Sequence, residues 1–458
     1  MKASLTQLQS WVANARAVGV ANTDGVTTDS RNVVAGNLFV ALIGERFDAH
    51  DFLAEVVENG AAAVMVERMP PDLTIPALVV PNTRVALGEI ACHWRRQFQL
   101  PVIGVTGSNG KTTVKEMVAS ILLAAFGEGN YLATRGNLNN EIGVPQTLLR
   151  LSAEHRAAVV ELGMNHVGEI ALLASIAQPT IALVNNAQRE HQEFMQSVEA
   201  VARENGAVIE ALPENGIAVF PADDEYTHLW RDLASASGTR ECITFGMVNG
   251  ADVTCSYRPD DFGSVLSLDI KGRKVTVRLS AAGLHNVRNA MAAAACCSAI
   301  GIDAETVALG LESFSPVSGR MQRKLAPNGA CIIDDTYNAN PDSVLAAIDV
   351  LAQAGTPRIL VLGDMGEVGQ QGQRFHEEVG MHASQSEIEY LLTYGTLVRH
   401  SASAFGAKAK HFENLEDLMT SLKTILAADS TVLVKGSRFM QMERVVQQLV
   451  NDQTAETH

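Results

Sequence analysis

Short apolar runs recur in the middle of the chain, and each is followed by a segment with helical spacing. The clearest runs occupy residues 101–106, 157–163 and 180–185. Runs of this length without polar alternation predict strands that are buried on both faces. Because helices separate them, they indicate a mostly parallel sheet with helices packed against it.

A different pattern follows the predicted parallel strands. Residues 266–270 and 275–279 alternate apolar and polar positions on either side of the turn sequence KGR at 271–273. Alternation with a period of two around a glycine turn predicts two antiparallel strands. We expect this hairpin to be attached to the central sheet.

The two ends of the chain have patterns of their own. Residues 1 to about 82 predict short strands at 37–43, 62–67 and 77–81 and one helix, joined by loops rich in glycine, aspartate and proline. After residue 317 the alternation of strands and helices restarts. The predicted strands are 331–337, 358–365, 390–395 and 431–437, and a helix capped by Asn414 follows the third of them.

These patterns predict an α/β protein of three domains. We place a small mixed α/β domain at 1–82, a central domain with a mostly parallel sheet and an antiparallel hairpin at 83–317, and a Rossmann-like domain at 318–458. A length of 458 residues fits about three domains of ordinary size.

Composition and net charge argue against several classes of protein. The formal net charge of −16 argues against a broad electrostatic grip on nucleic acid or on anionic lipid. The chain has no secretory signal pattern and no apolar stretch near the ~20 residues of a membrane helix, so we expect a cytoplasmic protein, without membrane insertion and monomeric. The six cysteines lack metal-ligand spacing, and we expect reduced thiols.

The strongest chemical signal is a glycine loop between the strand at 101–106 and an amphipathic helix. Residues 106–113 read TGSNGKTT. Glycines let the backbone approach phosphate oxygens, N–H groups at the helix start donate to them, and a lysine adds positive charge. The loop therefore predicts ATP binding in a P-loop ATPase-like central domain, by Gly107, Ser108, Asn109, Gly110, Lys111, Thr112 and Thr113.

Two further residues follow strands of the same predicted sheet. Glu161 ends the strand at 157–163, and His191 lies just past the strand at 180–185. Ligands of open parallel sheets gather at the carboxyl ends of the strands, and Mg²⁺ prefers oxygen ligands. We predict a magnesium site formed by Thr112, Glu161 and His191, with Lys111, Glu161 and His191 as the catalytic residues.

In combination, these motifs resemble those of the Mur ligases of bacterial cell-wall synthesis. Residues 106–113 resemble the ATP loop of that family, GLHNVRN at 283–289 resembles its adenine-side motif, and Gly319-Arg320 resembles its arginine at a domain junction. The resemblance implies that Asn286, Asn289, Arg320 and Asp335 also bind ATP. From spacing alone, Asn286 and Asn289 precede an alanine-rich helix, where small polar side chains are often caps.

Four more segments resemble the family members that add D-alanyl-D-alanine. They are NLNNEIGVP at 137–145, DDTYNANP at 334–341, LGDMGEVG at 362–369 and KGSRFMQME at 435–443. The resemblance implies an ATP- and Mg²⁺-dependent ligase whose substrates are UDP-N-acetylmuramoyl-tripeptide and D-alanyl-D-alanine. It also implies substrate contacts from Ser30, Arg31, Asp48, Asn139, Asn338 and Asn340.

The chain departs from the family in one stretch. Mur ligases commonly carry a carbamylated lysine that helps to hold a second magnesium ion, but residues 202–206 read ARENG here, with Asn205 at the expected position. We predict no carbamylated lysine, and support of the metal site by Asn205 or Glu204. The tripeptide before His191 is likewise QRE rather than the usual GPA.

Other readings of the sequence remain. A Mur ligase that adds another amino acid, or a related folate ligase, would share the ATP loop. A nucleotide-regulated switch protein would hydrolyse ATP slowly without any amine. A Rossmann-type oxidoreductase fits less well, because no glycine fingerprint follows the first strand of the third domain.

Overall fold

The computed structural model describes residues 1–236, 238 and 240–451. Within these ranges the chain forms three larger sheets, which occupy successive stretches of the sequence, and one small strand pair. The predicted α/β class with mostly parallel sheets is confirmed.

The first stretch contains a five-stranded sheet in the described residues, in the order β2-β7-β6-β5-β4, and the separate pair β1-β3. The strands are β1 (Lys2–Ser4), β2 (Arg16–Val18), β3 (Asn22–Asp24), β4 (Val26–Thr27), β5 (Leu38–Val40), β6 (Ala63–Val66) and β7 (Ala77–Val79). The helices are α1 (Leu5–Trp11), α2 (Leu53–Glu58) and α3 (Thr83–Arg95). The prediction of a single helix before residue 82 is wrong, because α1 and α2 are each too short to show helical periodicity clearly.

The central stretch forms a sheet in the order β16-β15-β14-β13-β12-β11-β8-β10-β9. Its strands are β8 (Val102–Thr106), β9 (Tyr131–Ala133), β10 (Ala157–Glu161), β11 (Ile181–Val184), β12 (Ile217–Pro221), β13 (Glu241–Phe245), β14 (Val253–Asp260), β15 (Gly263–Ile270) and β16 (Arg273–Leu279). Its helices are α4 (Lys111–Phe126), α5 (Gly143–Leu148), α6 (Glu169–Ala177), α7 (Gln192–Met195), α8 (Val198–Glu210), α9 (Thr227–Ser235), α10 (Leu284–Ala299) and α11 (Ala304–Ser313).

Strand β8 occupies the position that organises this sheet. It pairs in parallel with β10 on one side and β11 on the other, so the chain passes on both sides of it. A crevice forms at the carboxyl ends of parallel strands where the chain direction switches in this way. The predicted hairpin is confirmed as β15 paired antiparallel with β16.

Helix α4 follows β8 and buries one side against the sheet. Val114, Met117, Val118 and Ile121 are fully buried in a core that also contains Ile103. Burial of each such side chain stabilises the fold by about 1.5–3 kcal/mol. This packing fixes the start of α4, and with it the glycine loop, relative to β8.

The third stretch forms a sheet in the order β17-β18-β22-β19-β20-β21. Its strands are β17 (Gln322–Leu325), β18 (Cys331–Asp335), β19 (Arg358–Gly363), β20 (Tyr390–Tyr394), β21 (Ala409–Phe412) and β22 (Thr431–Lys435). Its helices are α12 (Pro341–Ala352), α13 (Gly372–Gln385), α14 (Arg399–Phe405), α15 (Leu415–Ile425) and α16 (Glu443–Asn451). The predicted cap of α15 is confirmed, because the Asn414 side chain accepts a hydrogen bond from the Asp417 N–H.

All six cysteines fall within the described residues and are free thiols. Cys296 and Cys297 are fully buried in α10. Burial raises the pKa of both thiols. Among the described helices, none has the length and apolar character needed to cross a membrane.

Candidate active site

The glycine loop joins the end of β8 to the start of α4. Gly110 has a positive φ of 82° and forms the N-cap of the helix, and Lys111 is its first residue. The Lys111 Nζ donates to the carbonyl oxygens of Gly107 at 2.6 Å and Ser108 at 3.1 Å, and to Glu190 Oε1 at 2.9 Å. The ammonium group is therefore held over the loop, where it can meet a phosphate.

Glycine is required at two positions of the loop for different steric reasons. A Cβ on Gly110 would lie 2.3 Å from Asn289 Oδ1 and 2.7 Å from Asn185 Nδ2. Gly107 has a φ of 132°, and a Cβ there would approach the backbone nitrogen of Asn186 at 3.0 Å. The loop fits closely against the residues that follow β11, so its shape depends on them.

Thr112 and Glu161 are brought together as predicted for a metal site. The Thr112 hydroxyl donates to Glu161 Oε1 at 3.1 Å, and the amide of Asn139 donates to the same oxygen at 2.8 Å. Glu161 is buried, and its Oε2 has no hydrogen-bond partner. A hydroxyl beside a buried carboxylate with a free oxygen fits the oxygen ligands that Mg²⁺ takes.

His191 lies in the same cavity but pairs with carboxylates. Its Nδ1 bonds to Glu367 and its Nε2 lies 3.4 Å from Glu190 Oε1. Burial opposes the charged imidazolium, but the hydrogen bonds to Glu190 and Glu367 outweigh it and raise the pKa of His191 to about 9. The role of His191 as a metal ligand remains a prediction, and it requires the ring to lose this proton first.

A network of asparagines supports the glycine loop from the end of β11. Asn185 Nδ2 donates to the carbonyl of Asn109 at 2.8 Å and to Asn289 Oδ1 at 2.9 Å. Asn186 Oδ1 accepts from the Asn109 N–H at 2.9 Å. Asn286 and Asn289 lie inside the first turns of α10 rather than before it, and Gly283 is the N-cap, so the alternative reading of these asparagines as helix caps is wrong.

The structure separates the two residues that were expected to support the metal site. Asn205 is fully buried behind the glycine loop, and its Oδ1 accepts a hydrogen bond from the Thr106 hydroxyl at 2.7 Å. Glu204 instead accepts from the N–H groups of Gly168 and Ile170 at the start of α6. Only Asn205 therefore acts on the end of β8, and Glu204 stabilises a different helix.

The carboxyl ends of the third sheet contribute a charged group to the cavity. Asp335 accepts from Lys435 Nζ at 2.5 Å and from the Met321 N–H at 3.1 Å. The Arg320 guanidinium lies 4.0 Å from the centre of the Tyr337 ring. This stacking orients Arg320 at the cavity wall.

Residues of α12 reach the glycine loop directly. Asn340 is the N-cap of α12 and forms a capping box with Ser343. Its Nδ2 also donates to Asn109 Oδ1 at 2.9 Å. Asn338, by contrast, offers its backbone carbonyl to Lys435 at 2.9 Å.

Arg189 makes a second connection between the central stretch of the chain and the third. Its guanidinium binds Asp342 at 2.6 Å and Glu378 at 2.7 Å, and it stacks on Phe375 at 5.2 Å. The pairs link the loop after β11 to α12 and α13, and the charged groups are partly shielded from solvent. Such pairs are more strongly coupled than exposed surface salt bridges.

The predicted contacts in the first stretch are paired locally. Asp29 caps a short 3₁₀ turn at Ser30–Asn32 and forms a bidentate ion pair with Arg31. Asp48 caps the turn at Ala49–Phe52 and binds Arg68 at 2.5 Å. Ser30, Arg31 and Asp48 lie outside the large cavity, and their binding to substrate remains a prediction.

One cavity of about 960 Å³ collects most of the predicted residues. Gly107 is not among the residues that line it. The predicted residues that line the cavity are Ser108, Asn109, Gly110, Lys111, Thr112, Thr113, Asn139, Glu161, His191, Asn286, Asn289, Arg320, Asp335, Asn338 and Asn340.

Sequence reasoning missed several residues of this cavity. Asn185 and Asn186 directly follow a strand, the same signal that identified Glu161. Glu190 adjoins His191, and Lys435 ends β22. Asn185, Asn186 and Lys435 lie at the ends of buried strands and could have been found by applying one rule to every strand of both sheets. Glu190 could have been found only from its place beside His191.

Three stretches of the chain match models of known protein families. Residues 22–95 match the family model described as "Mur ligase family, catalytic domain", residues 105–297 match "Mur ligase middle domain", and residues 319–438 match "Mur ligase, glutamate ligase domain".

The chain is also similar to individual proteins over nearly its full length. It is 41% identical to the UDP-N-acetylmuramoyl-tripeptide--D-alanyl-D-alanine ligase of Escherichia coli, with 94% of each chain covered. It superposes on the crystal structure of MurF from Acinetobacter baumannii with a TM-score of 0.91, 35% identity and 99% of each chain covered. The MurF ligase of Thermotoga maritima in complex with ADP gives a TM-score of 0.80 at 28% identity, over 94% of this chain and 98% of that one.

Proposed function

The chain belongs to the Mur ligase family, and on that premise we propose that it joins D-alanyl-D-alanine to UDP-N-acetylmuramoyl-tripeptide at the expense of ATP. The similarity to D-alanyl-D-alanine ligases over 94% of the chain supports this substrate pair. The observation that carries the ATP-dependent chemistry is the Lys111 ammonium held over the glycine loop, beside the Thr112–Glu161 pair.

The reaction has two chemical steps. A carboxylate oxygen of the tripeptide attacks the γ-phosphorus of ATP, so that an acyl phosphate forms and ADP leaves. The amine nitrogen of D-alanyl-D-alanine then attacks the acyl carbon, phosphate leaves, and the nitrogen loses a proton as the amide forms.

The first step brings two anions together, and positive charge has to offset their repulsion. Lys111 lies where it can bind phosphate oxygens, and the N–H groups at the start of α4 point the same way. Thr112 and Glu161 would hold magnesium, with His191 as a further predicted ligand. Magnesium, when bound, supplies positive charge that stabilises the transferring phosphoryl group.

The second step requires that water be kept from the acyl phosphate. Asn340 and Arg189 connect α12 and α13 to the loops that surround the nucleotide site. We infer that these contacts hold the third stretch of the chain over the cavity during the reaction. Exclusion of solvent in this way protects a reactive intermediate until the amine attacks.

Replacing Arg189 with alanine tests this inference. The variant loses both ion pairs with the third stretch of the chain, and we expect kcat/KM for amide formation to fall by roughly tenfold, a loss of about 1.4 kcal/mol that lies near the lower end of the range for close charge pairs. Steady-state kinetics with ATP and both other substrates measure the change. Arg203→Ala is the matched control, since Arg203 is exposed and pairs with Glu199 on its own helix; equal rates for both variants would contradict a role for the contact.

The substrate assignment is tested by product analysis. Phosphate release from ATP is measured with UDP-N-acetylmuramoyl-tripeptide, with and without D-alanyl-D-alanine, and the amide product is identified by mass. We expect release to require both substrates and to yield the pentapeptide. Release that depends on a free amino acid and a shorter acceptor would assign another ligase of the family, and slow release without any amine would indicate a switch protein.

A further inference from the structure

Glu190 places a second, largely buried carboxylate beside the glycine loop. Its Oε1 accepts from Lys111 Nζ at 2.9 Å and lies 3.4 Å from His191 Nε2. Its other oxygen, Oε2, is buried and has no hydrogen-bond partner. A carboxylate oxygen with no donor is costly away from water, and this cost indicates that a positively charged partner belongs there.

A matching free oxygen lies on Glu161. Its Oε1 is occupied by Thr112 and Asn139, whereas its Oε2 is buried without a partner. Glu161 and Glu190 line the same cavity. The cavity wall therefore carries two carboxylates, each with one oxygen that lacks a hydrogen-bond partner.

When ATP is bound, its phosphates repel the carboxylate of Glu190. The triphosphate brings several negative charges to the glycine loop, and these repel a nearby carboxylate, most strongly where water is excluded. Lys111 carries a single positive charge, which Glu190 already shares. A divalent cation between Glu190 and the phosphates would convert this repulsion into attraction.

Asn205 cannot supply that anionic oxygen. Its side chain is uncharged, and its Oδ1 is engaged by the Thr106 hydroxyl. Within the described parts of the chain, no three or more histidine, cysteine or acidic residues form a group that could hold a metal alone. Magnesium in nucleotide sites is usually bound by one or two carboxylates, with phosphates and waters as the remaining ligands.

We propose that Glu190, through Oε2, is a magnesium ligand of the nucleotide-bound enzyme on the His191 side of the glycine loop. The proposal rests on the magnesium dependence in the proposed function, and it assigns the ligand to a residue of the QRE tripeptide. Lys111, once released by Glu190, becomes free to bind the phosphates.

Metal binding provides a test that is independent of catalysis. Free Mn²⁺ is measured by electron paramagnetic resonance while it is titrated into the full-length protein with adenylyl imidodiphosphate. We expect Glu190→Ala and Glu190→Gln to weaken Mn²⁺ binding by about tenfold or more relative to the wild type, as loss of a metal ligand or its support commonly does. The magnesium concentration for half-maximal activity should rise in parallel.

Glu193→Ala is the matched control, because this carboxylate lies three residues further along the chain, in the short helix α7, and is exposed. Its Mn²⁺ affinity should equal that of the wild type. Glu190→Gln preserves the side-chain volume, and thermal unfolding of each variant confirms that the fold is retained.

Two outcomes would overturn the proposal. If Glu190 only pairs with Lys111, both Glu190 variants will bind the nucleotide analogue more tightly with unchanged Mn²⁺ affinity. If the wild type itself binds no Mn²⁺ with the analogue, the magnesium dependence is wrong as well. The substrate assignment is unaffected in either case, since product analysis decides it separately.

Discussion

Lys111→Ala is expected to abolish ATP turnover while leaving the fold intact. The variant removes the one ammonium group that the glycine loop holds at its centre, bound to the carbonyls of Gly107 and Ser108. Loss of a single preorganised group that stabilises transition-state charge commonly costs about 10²–10³ in kcat, and we expect at least the upper end here. Phosphate release with both other substrates saturating measures the effect.

Two further variants serve as comparisons for the loss of turnover in Lys111→Ala. Lys2→Ala removes an exposed lysine that pairs with Asp24 at the surface, and its turnover should be unchanged. Lys111→Arg keeps the positive charge but replaces a compact ammonium with a planar group, so it should recover only part of the rate. Unchanged turnover in Lys111→Ala would refute the assignment of the ATP site.

Gly110→Ala is expected to lower ATP turnover by about 100-fold or more, because displacements near 1 Å in a catalytic arrangement can cost that much. The added methyl group would lie 2.3 Å from Asn289 Oδ1, and the residue would still have to adopt a φ of 82°. The asparagine network or the loop must shift, and either movement displaces Lys111. Nucleotide affinity, measured by calorimetry, should fall together with the rate.

Gly129→Ala separates backbone strain from steric displacement. Gly129 has a φ of 80°, nearly the same as Gly110, but a Cβ there would meet nothing within 4 Å. The left-handed conformation costs an alanine about 1–2 kcal/mol, so this variant should unfold at a lower temperature with normal turnover. If Gly110→Ala behaves in the same way, the close approach to Asn289 has no functional importance.

The fold followed closely from the apolar pattern. Continuous apolar runs predicted β8, β10 and β11, because a strand buried on both faces has apolar residues at successive positions. Alternating apolar and polar residues predicted β15 and β16, because only one face of such a strand is buried. Strands β17 and β21 carry polar residues at the edges of their sheet and leave no such trace. Short edge strands depend on their neighbours for their structure, and local sequence does not reveal them.

The sequence predicted those parts of the candidate site that lie within one short motif. The glycine loop positions Lys111 and Thr112 through adjacent residues, so their proximity could be inferred directly. The contacts of Asn340 with Asn109 and of Arg189 with Asp342 span 231 and 153 positions, respectively. They depend on how the third stretch of the chain packs against the second, and no local pattern specifies that packing.

The sequence left open whether Asn205 or Glu204 would support the site. The sequence indicated that a lysine position is occupied by an amide, and that Asn205 or Glu204 would compensate. Only the folded chain shows that these neighbours face different partners, since the Asn205 side chain meets Thr106 and that of Glu204 meets the start of α6. Successive residues of a helix point about 100° apart, so adjacency in sequence could not decide between them.

The buried cysteines of α10 offer a chemical probe of conformational opening. Cys296 and Cys297 are inaccessible and poorly ionised, whereas Cys92, Cys242 and Cys331 are partly exposed. A thiol-reactive dye should therefore modify the three partly exposed thiols first, and the thiols of α10 only when the core beside the asparagine network opens. Because ligands that bind the native state suppress such opening, the slow labelling rate would report nucleotide occupancy even in variants that catalyse nothing.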